Sequence, residues 1–383
     1  MIEIAINTLG ITDSAAGART YLTQIVRSML AIAPHNRYRI LCSRFNASSF
    51  AFAEAHPSSQ VDILDMRSPG PLTRILYDQL VVPWRLRSRP DTVLVTPSSV
   101  ASLLARNPQV TIVQAPLSVR VIRRQVPRER RTIGWSQTLY FDSLMPLTMR
   151  VSDEVVAVSE HLASALFEQF GRTVDVSHEG VEFGSPGTNG HAVASASSVP
   201  YVLFVSTLFP YKNADRMLDA FARLCARPGT PPALRLKVAG RDPDGMQLDR
   251  LRAHARSLGV AERVDFLGLV PHSDVWALYS EAEMFVYPSE METFGLPLLE
   301  AMRVGVPVVA ARRMSIPEVV GDAGVLFDPD DLDEMTAAMA AVLDDAPLRE
   351  RLVTRGRERS EQFTWDRAAA SLLDVIHRAA ERK

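Results

Sequence analysis

Two glutamates, Glu292 and Glu300, flank a short segment in which a glycine precedes a proline suited to start a helix. The apolar strand pattern before this segment ends at Pro288, and Pro297 fits the first turn of a helix. Residues Phe294 to Leu296 therefore place backbone N–H groups at the positive end of that helix, where anions bind. A carboxylate can accept two hydroxyl hydrogen bonds at once. The segment predicts a diphosphate site between carboxylates that bind the hydroxyl groups of a sugar and of a ribose.

Short apolar strand patterns alternate with helical patterns along the whole chain. The strand patterns begin at Ile2, Tyr38, Val61, Val93, Val110, Glu154, Tyr201, Leu234, Val264, Met284 and Val306. Short buried strands that alternate with helices form parallel sheets covered on both faces, so the fold class is α/β. Residues 184–198, GSPGTNGHAVASASS, have no apolar period and predict a linker between two halves.

The length and charge of the chain limit its function. Its 383 residues fit two domains, and a net charge of −2 gives no general attraction to nucleic acid. Its two cysteines, Cys42 and Cys225, cannot form a disulfide framework, and the first residues lack the pattern of a secretion signal. No apolar run is long enough to span a bilayer. We therefore expect a cytoplasmic protein.

The spacing of Glu292 and Glu300, with seven residues between them, resembles the E-x7-E motif of the retaining GT-B glycosyltransferases. The stretch from Pro288 to Phe327 resembles their GT4 group. Further landmarks of that group follow in order at Val155–Glu160, His178–Glu182, Pro210–Asn213, Val238–Gly240 and Phe363–Trp365. The resemblance implies two Rossmann-like domains facing each other across a cleft. It assigns the acceptor to residues 1–183 and the donor to residues 199–363, and a helix over residues 364–383 crosses back to the first domain.

What the resemblance implies is a retaining transfer of a hexose from a nucleoside-diphosphate sugar, without a metal or another cofactor. Lys212 would neutralise the leaving diphosphate, Glu292 would orient the sugar, and Glu300 would bind the ribose. The other candidate donor-binding residues are Gly17, Thr207, Gly240, Arg241, Thr293, Phe294, Gly295 and Leu296, and the acceptor-side candidates are Gln114 and Ser159. Residues 315–331 resemble a mannosyltransferase-like branch. That branch implies GDP-mannose as donor and a polysaccharide or lipid-linked saccharide as acceptor.

Two positions depart from the pattern of the group. Ser206-Thr207 stands where the group has Gly-Arg, and Gln114 stands where a His-Asp pair is usual. One cation is therefore missing near the diphosphate. Either Lys212 fills its role alone, or Arg241 or Arg312 contributes. Two other functions stay open at this point. A nucleotide-sugar epimerase of the same architecture needs an acid and a base near the sugar, and a catalytically silent partner subunit needs neither.

No residue pattern predicts a metal site. The histidines have no H-E-x-x-H spacing. Two D-x-D triplets, at residues 242–244 and 328–330, match a metal motif of a different glycosyltransferase fold. Each triplet has a proline at its centre, and this predicts turns.

Arginines cluster in two stretches of the first half. One is residues 120–131, RVIRRQVPRERR, and the other holds five arginines from Arg67 to Arg89. The simpler interpretation is a solvated basic face. The alternative is peripheral contact with anionic lipid headgroups at the inner face of a membrane, with Val121, Ile122 and Val126 inserted shallowly.

Overall fold

The structure, a computed structural model, describes residues 1–11, 16–66, 68, 70–115, 118–125, 127, 130, 134–182 and 199–382. It divides into two compact units. The first comprises Met1–Gln125, Ile133–Gly180 and Thr364–Lys383, and the second comprises Val126–Thr132 and Val181–Phe363. The predicted linker, residues 184–198, lies outside the described residues. Residues 126–132 group with the second unit, although they lie within the predicted first domain.

The first unit is built on a seven-stranded parallel sheet with the order β3-β2-β1-β4-β5-β6-β7. Its central strands are almost continuously apolar, because helices cover both faces of such a sheet. The four residues of β4 and the five residues of β5 are all buried. The strands are β1 (Glu3–Asn7), β2 (Arg37–Ser43), β3 (Ser59–Leu64), β4 (Val93–Thr96), β5 (Gln109–Val113), β6 (Glu154–Ala157) and β7 (Asp175–Val176).

The helices of the first unit include the last helix of the chain. This helix packs against the first one, where the rings of Tyr21 and Trp365 meet edge to face with centroids 5.8 Å apart. A Cβ on Gly180 would lie 2.2 Å from the Trp365 nitrogen, so only glycine permits this close approach. The helices are α1 (Ala16–Ile32), α2 (Ala51–Glu54), α3 (Pro71–Leu76), α4 (Val82–Leu86), α5 (Arg120–Gln125), α6 (Trp135–Val151), α7 (Glu160–Phe170) and α15 (Trp365–Glu381), and a π-helical turn, Tyr77–Val81, joins α3 to α4.

The second unit repeats this architecture with six parallel strands in the order β10-β9-β8-β11-β12-β13. Counted within each unit, the first six strands have the same order, which is that of a dinucleotide-binding fold. The predicted α/β class with two Rossmann-like domains is therefore confirmed. The strands are β8 (Tyr201–Val205), β9 (Arg235–Ala239), β10 (Val264–Gly268), β11 (Met284–Tyr287), β12 (Val308–Ala311) and β13 (Gly324–Phe327).

Several helices of the second unit bury an apolar face against the sheet or a neighbouring helix. In the helix after β8, for example, Met217, Leu218, Phe221 and Leu224 are buried at helical spacing. The helices are α8 (Ala214–Ala226), α9 (Gln247–Ser257), α10 (His272–Ser280), α11 (Leu296–Val304), α12 (Ile316–Val320), α13 (Leu332–Asp344) and α14 (Ala346–Ser360). Across the described residues of the chain, no helix has the length and apolar character needed to cross a membrane.

Candidate donor site at the strand ends of the second unit

The predicted site residues come from two loops that leave neighbouring strands. β8 and β11 are adjacent in the sheet although they are far apart in the chain. The next strand in sequence after β8 lies on one side of this pair, and the next after β11 lies on the other. In open α/β sheets, ligands bind at the carboxyl ends of the strands where the strand order reverses in this way. Lys212 follows β8 and Glu292 follows β11, so the fold brings both to that position.

The two loops are cross-linked by hydrogen bonds. A 3-10 turn, Pro210–Lys212, ends at Asn213, which adopts a left-handed conformation with φ +57°. The side-chain amide of Asn213 donates to the Pro288 carbonyl oxygen at 2.9 Å. The Glu290 N–H donates to the Tyr211 carbonyl oxygen at 2.9 Å. These bonds fix the Lys212 backbone relative to the segment that carries Glu292.

The Lys212 ammonium group forms an ion pair with the Glu292 carboxylate. Lys212 Nζ also donates to the Tyr287 hydroxyl at 3.2 Å, and that hydroxyl donates to Glu292 Oε1 at 2.6 Å. The Lys212 and Glu292 side chains are each 12% exposed, so the pair is shielded but reachable. The rings of Tyr211 and Tyr287 lie 5.3 and 5.4 Å from Nζ. The ammonium group is thus held by one carboxylate, one hydroxyl and two aromatic rings.

Tyr287 is a hydrogen-bond donor to the carboxylate because it keeps its proton. Burial raises the pKa of its hydroxyl well above the usual value, and the charge of Glu292 raises it further. Burial and then Glu292 raise the pKa of Tyr211 in the same way. Neither phenol ionises near neutral pH, so the only negative charge in contact with Lys212 Nζ within this cluster is the Glu292 carboxylate.

The start of α11 is shaped by a glycine. Gly295 has φ +111°, which favours glycine, and a Cβ there would approach Leu298 Cδ1 to 2.9 Å. The Ser315 hydroxyl donates to the carbonyl oxygens of Glu292 and Phe294 at 2.9 and 3.1 Å, on either side of half-buried Thr293.

The first N–H groups of a helix have no partner within the helix. Among the described residues, none accepts a hydrogen bond from the N–H of Gly295 or Leu296. The Phe294 ring is buried and meets the Phe363 ring edge to face, with centroids 5.7 Å apart. The amides at the start of α11 are therefore positioned by a fixed backbone, as a diphosphate site requires.

Glu300, on the second turn of α11, has a fixed partner of its own. The hydroxyl of Tyr279 donates to Glu300 Oε2 at 3.3 Å. Tyr279 is fully buried, and burial followed by the Glu300 charge raises its pKa well above the usual value. The phenol therefore stays protonated and orients one carboxylate oxygen of Glu300.

Gly240 lets the end of β9 pass close to the loop after β8. A Cβ on Gly240 would overlap the Ser206 carbonyl oxygen at 1.7 Å. The Leu208 N–H donates to the Arg241 carbonyl oxygen at 2.9 Å and ties the half-buried segment around Thr207 to the end of β9. Within the described part of the chain, no side chain pairs with the Arg241 guanidinium. Arg241 therefore remains a candidate for the missing cation, whereas Arg312 is engaged by Glu334 at 2.6 Å.

Arg130 is a residue at this site that the sequence did not indicate. Its guanidinium lies 2.7 Å from Glu290 Oε1 and also donates to Asn213 Oδ1. Both partners are buried and belong to the cross-linked loops. Arginine clustering between residues 120 and 131 was the only signal, and it gave no hint of a partner 160 residues away along the chain. Arg130 thus braces the loops that carry Lys212 and Glu292.

The comparisons with known proteins agree with this geometry. Residues 191–359 match the family model described as glycosyl transferases group 1. This part of the chain belongs to the group 1 glycosyltransferases. The match covers the second unit, which carries Lys212, Glu292 and Glu300.

Named relatives of the chain fall into two kinds. The chain is 36% identical over 175 residues to O-antigen chain mannosyltransferase B of Escherichia coli. This alignment covers 46% of the chain and 45% of that protein. It is 32% identical over 262 residues to a D-inositol 3-phosphate glycosyltransferase of Mycobacterium marinum, covering 65% and 53%. The chain thus spans about half the length of the curated relatives it matches.

A solved structure resembles the whole chain. Sucrose-phosphate synthase of Thermosynechococcus elongatus superposes with a TM-score of 0.78 and 18% identity, and the alignment covers 100% of both chains. At this identity the likeness shows the fold, which is GT-B as the sequence predicted.

Gly17 and Ser159 of the first unit have defined structural positions. Gly17 was predicted in a loop, but it is the second residue of α1, and a Cβ there would meet nothing within 4 Å. The buried hydroxyl of Ser159, a predicted acceptor-side residue, caps α7 by accepting a hydrogen bond from the Leu162 N–H at 3.2 Å. The binding roles of both residues stay predictions. Gln114 follows β5 and is half-buried, and its N–H donates to Ser99 Oγ at 3.2 Å.

The first unit has its own polar cluster at the end of β1, which sequence analysis missed. The Asn7 side-chain amide donates to Asp78 Oδ1 at 2.8 Å, and Arg74 Nε lies 3.8 Å from Asp78 Oδ2. Arg74 also donates to the Gly10 carbonyl oxygen at 3.3 Å. Burial raises the pKa of the Asp78 carboxyl, although Asn7 and Arg74 oppose this shift. The cluster therefore provides the buried Asp78 carboxylate with a hydrogen-bond donor and a cation from the same unit.

Both D-x-D triplets are turns, as predicted. Asp242 Oδ1 accepts from the N–H groups of Asp244 and Gly245 at 3.3 and 3.1 Å. Asp328 Oδ1 accepts from the Asp330 N–H at 2.9 Å. In the part of the chain that the structure describes, no group of three or more His, Cys, Asp and Glu side chains is arranged to hold a metal ion.

Proposed function

We propose that this protein is a retaining, metal-independent glycosyltransferase that transfers mannose from GDP-mannose to a hydroxyl group of a polysaccharide or lipid-linked saccharide. The observation that carries the proposal is the meeting of Lys212 and Glu292. They come from different loops and pair beside the start of α11, where the strand order reverses. A cation, a carboxylate and a row of helix amides at this position suit a sugar linked to a diphosphate.

In the proposed reaction, the bond between the sugar C1 and the diphosphate oxygen breaks. The acceptor oxygen bonds to C1 on the face that the diphosphate leaves, so the configuration at C1 is retained. The proton of the acceptor hydroxyl passes to a phosphate oxygen of the donor. The nucleoside diphosphate leaves with the bonding electron pair, and no protein side chain is needed as a base.

Lys212 stabilises the charge that develops on the leaving diphosphate. Its ammonium group is fixed by Tyr287, so it needs little rearrangement, and fixed cations and amides are the strongest contributors to such stabilisation. The amides of Gly295 and Leu296 bind the diphosphate from the start of α11. Glu292 exchanges its contact with Lys212 for hydroxyl groups of the sugar and orients C1.

Glu300 binds the ribose hydroxyl groups of the donor. It lies about one turn along α11 from the amides, and Tyr279 orients one of its oxygens. The second oxygen can accept from a ribose hydroxyl. Arg241 supplies the cation that Ser206-Thr207 lacks.

The choice of mannose rests on the Escherichia coli relative, which is named a mannosyltransferase. The relative from Mycobacterium marinum is named for inositol 3-phosphate and supports a different acceptor class. The identity of the donor is therefore the part of the proposal to test first. The expected setting is the cytoplasm, with peripheral contact at the inner face of a membrane.

A thermal-shift screen against UDP, GDP, dTDP, ADP and their sugars tests the donor. Ligand at 100 times its Kd stabilises a folded protein by about 2.7 kcal/mol, which raises the melting temperature by roughly 5–10 °C for a domain of this size. We expect GDP and GDP-mannose to give the largest shift. A larger shift with UDP or its sugars would contradict the proposed donor, and no shift with any of them would contradict the proposed reaction.

Glu300→Ala locates the binding site in the same assay. Because one or two hydrogen bonds to a charged group are lost, we expect roughly tenfold to hundredfold weaker binding of GDP. Glu350→Ala is the matched control, since Glu350 is an exposed glutamate on α14. Equal GDP affinity in the two variants would contradict the role of Glu300.

A further inference from the structure

An exposed apolar stripe runs along one continuous helical segment of the first unit, formed by α3, the π-helical turn and α4. Its members are spaced four residues apart and share one face. Leu72, Leu76, Leu80 and Trp84 are 82%, 50%, 49% and 56% exposed. A surface helix of a globular protein normally turns polar side chains outward. Here the outward face is apolar, and we call these four residues the apolar stripe.

The opposite face of the same segment is fixed to the unit. Val82 and Leu86 are buried in a core cluster of the first unit. Gln79 donates to the Ala101 carbonyl oxygen at 2.9 Å and accepts from the Leu103 N–H at 2.8 Å. Asp78 is held by Asn7 and Arg74 as described above. The segment therefore presents the apolar stripe from a fixed position.

The charge around the apolar stripe is positive. From Pro71 to Pro90 the chain has four arginines and one acidic residue, Asp78, which is buried. Arg74 faces Asp78 and Arg89 faces Glu3. Arg85 and Arg87 are exposed, and no described carboxylate pairs with either. The Arg87 guanidinium lies over the Trp84 ring at 4.9 Å, so cation and aromatic ring are presented together.

We propose that the apolar stripe, with Arg85 and Arg87, docks the first unit on an anionic lipid bilayer. Leucine side chains enter the boundary between headgroups and acyl chains, tryptophan prefers that boundary, and arginines bind anionic headgroups. The four apolar side chains and the two arginines lie along one exposed edge, and a bilayer interface offers both apolar depth and anionic charge to such an edge. The proposal does not depend on the transfer reaction.

The second basic stretch does not share these features. Within α5, Ile122 is buried and cannot insert into lipid, which corrects the expectation from the sequence. Arg123 is buried too and pairs with Asp142. Val126 lies outside the described residues. Among the described residues of the two arginine-rich stretches, only those beside the apolar stripe combine exposed apolar and cationic side chains.

Vesicle flotation tests the proposal with the full chain. One set of vesicles is phosphatidylcholine alone, and the other contains phosphatidylcholine and phosphatidylglycerol at a ratio of 7:3. We expect the protein to float with the anionic vesicles at low salt and to bind the neutral vesicles at least tenfold less. The double variant Arg85→Gln with Arg87→Gln should bind anionic vesicles roughly thirtyfold more weakly, because each basic residue near the surface contributes about fivefold.

A second double variant, Leu76→Ser with Trp84→Ser, should reduce binding at least tenfold with an unchanged melting temperature. Leu269→Ser is the matched control, since Leu269 is a 73% exposed leucine of the second unit. Equal binding of the stripe variant and the control overturns the proposal, as does equal binding to neutral vesicles. A dimer in sedimentation velocity that the stripe variant abolishes would also overturn it and would assign the face to a second copy.

Discussion

The carboxyl ends of the central strands differ between the two units, although the strand order is the same. In the second unit, the ends of β8 and β11 carry Lys212 and Glu292, which pair in a shielded but reachable position. In the first unit, Asn7 at the end of β1 and Arg74 on α3 contact the buried Asp78 carboxylate. Among the described residues, the strand ends of the second unit carry a partly exposed ion pair beside helix amides, whereas the acid of the first unit is buried. The comparison shows that the side chains at the strand ends decide the chemistry.

The largest expected effect concerns Lys212 in the second unit. Lys212→Ala removes the cation that stabilises the leaving diphosphate, so we expect turnover to fall roughly 100-fold to 1000-fold. The rate of nucleoside diphosphate release in the presence of acceptor measures it. Lys237→Ala is the matched control, because Lys237 also lies over a tyrosine ring, that of Tyr201 at 3.7 Å. Similar turnover in the two variants would remove Lys212 from the mechanism.

A smaller effect is expected from the hydroxyl that joins Lys212 and Glu292. Tyr287→Phe removes one hydrogen bond to a charged group, which contributes about 1.5 kcal/mol, so kcat/KM should fall roughly tenfold. Tyr201→Phe is the control, because its hydroxyl donates to the Leu278 carbonyl oxygen at 2.8 Å away from the strand ends. A loss of stability without a loss of activity in Tyr287→Phe would show that this hydroxyl serves only folding.

The smallest effect is expected in the first unit. Ser159→Ala removes the cap of α7 and should lower the free energy of unfolding by about 1 kcal/mol, measured by urea denaturation. Turnover should stay within a factor of about two of the parent at a temperature where both are folded, because a buried cap contacts no substrate. A tenfold loss of turnover would support the predicted acceptor-side role of Ser159 and weaken the contrast between the units.

The elements of the second unit were predictable because their apolar patterns are undisturbed. The apolar patterns predicted both ends of the strands Tyr201–Val205 and Met284–Tyr287 correctly, because buried parallel strands are nearly all apolar. The helical segment over residues 71–86 was missed because both its faces carry apolar residues, so no amphipathic period marks it. Gly17 was placed in a loop because glycine weakens a helical pattern, whereas the structure includes it in the first turn of α1.

The site was predictable only where its residues follow a recognisable local pattern. Glu292, Glu300 and Gly295 lie within a few residues of one another, and their spacing carries the resemblance to the family. Tyr287 and Arg130 were missed for another reason. A strand tyrosine looks like any core aromatic residue, and the partners of Arg130 lie in distant parts of the chain. Such contacts follow from the tertiary fold and leave no spacing signal.

The ion pairs at the donor site have a consequence for anion selectivity. Lys212 already faces Glu292, and Arg130 already faces Glu290, so neither cation is available to a passing chloride or inorganic phosphate. An anion must displace a carboxylate to reach Lys212, and breaking a shielded pair is costly unless a better partner replaces it. In the proposed function, a diphosphate that also binds the α11 amides meets this condition. The hydroxyl groups of its sugar then bind the displaced Glu292 carboxylate. Under the proposed function, the resting pair therefore competes with small anions and yields to the complete donor.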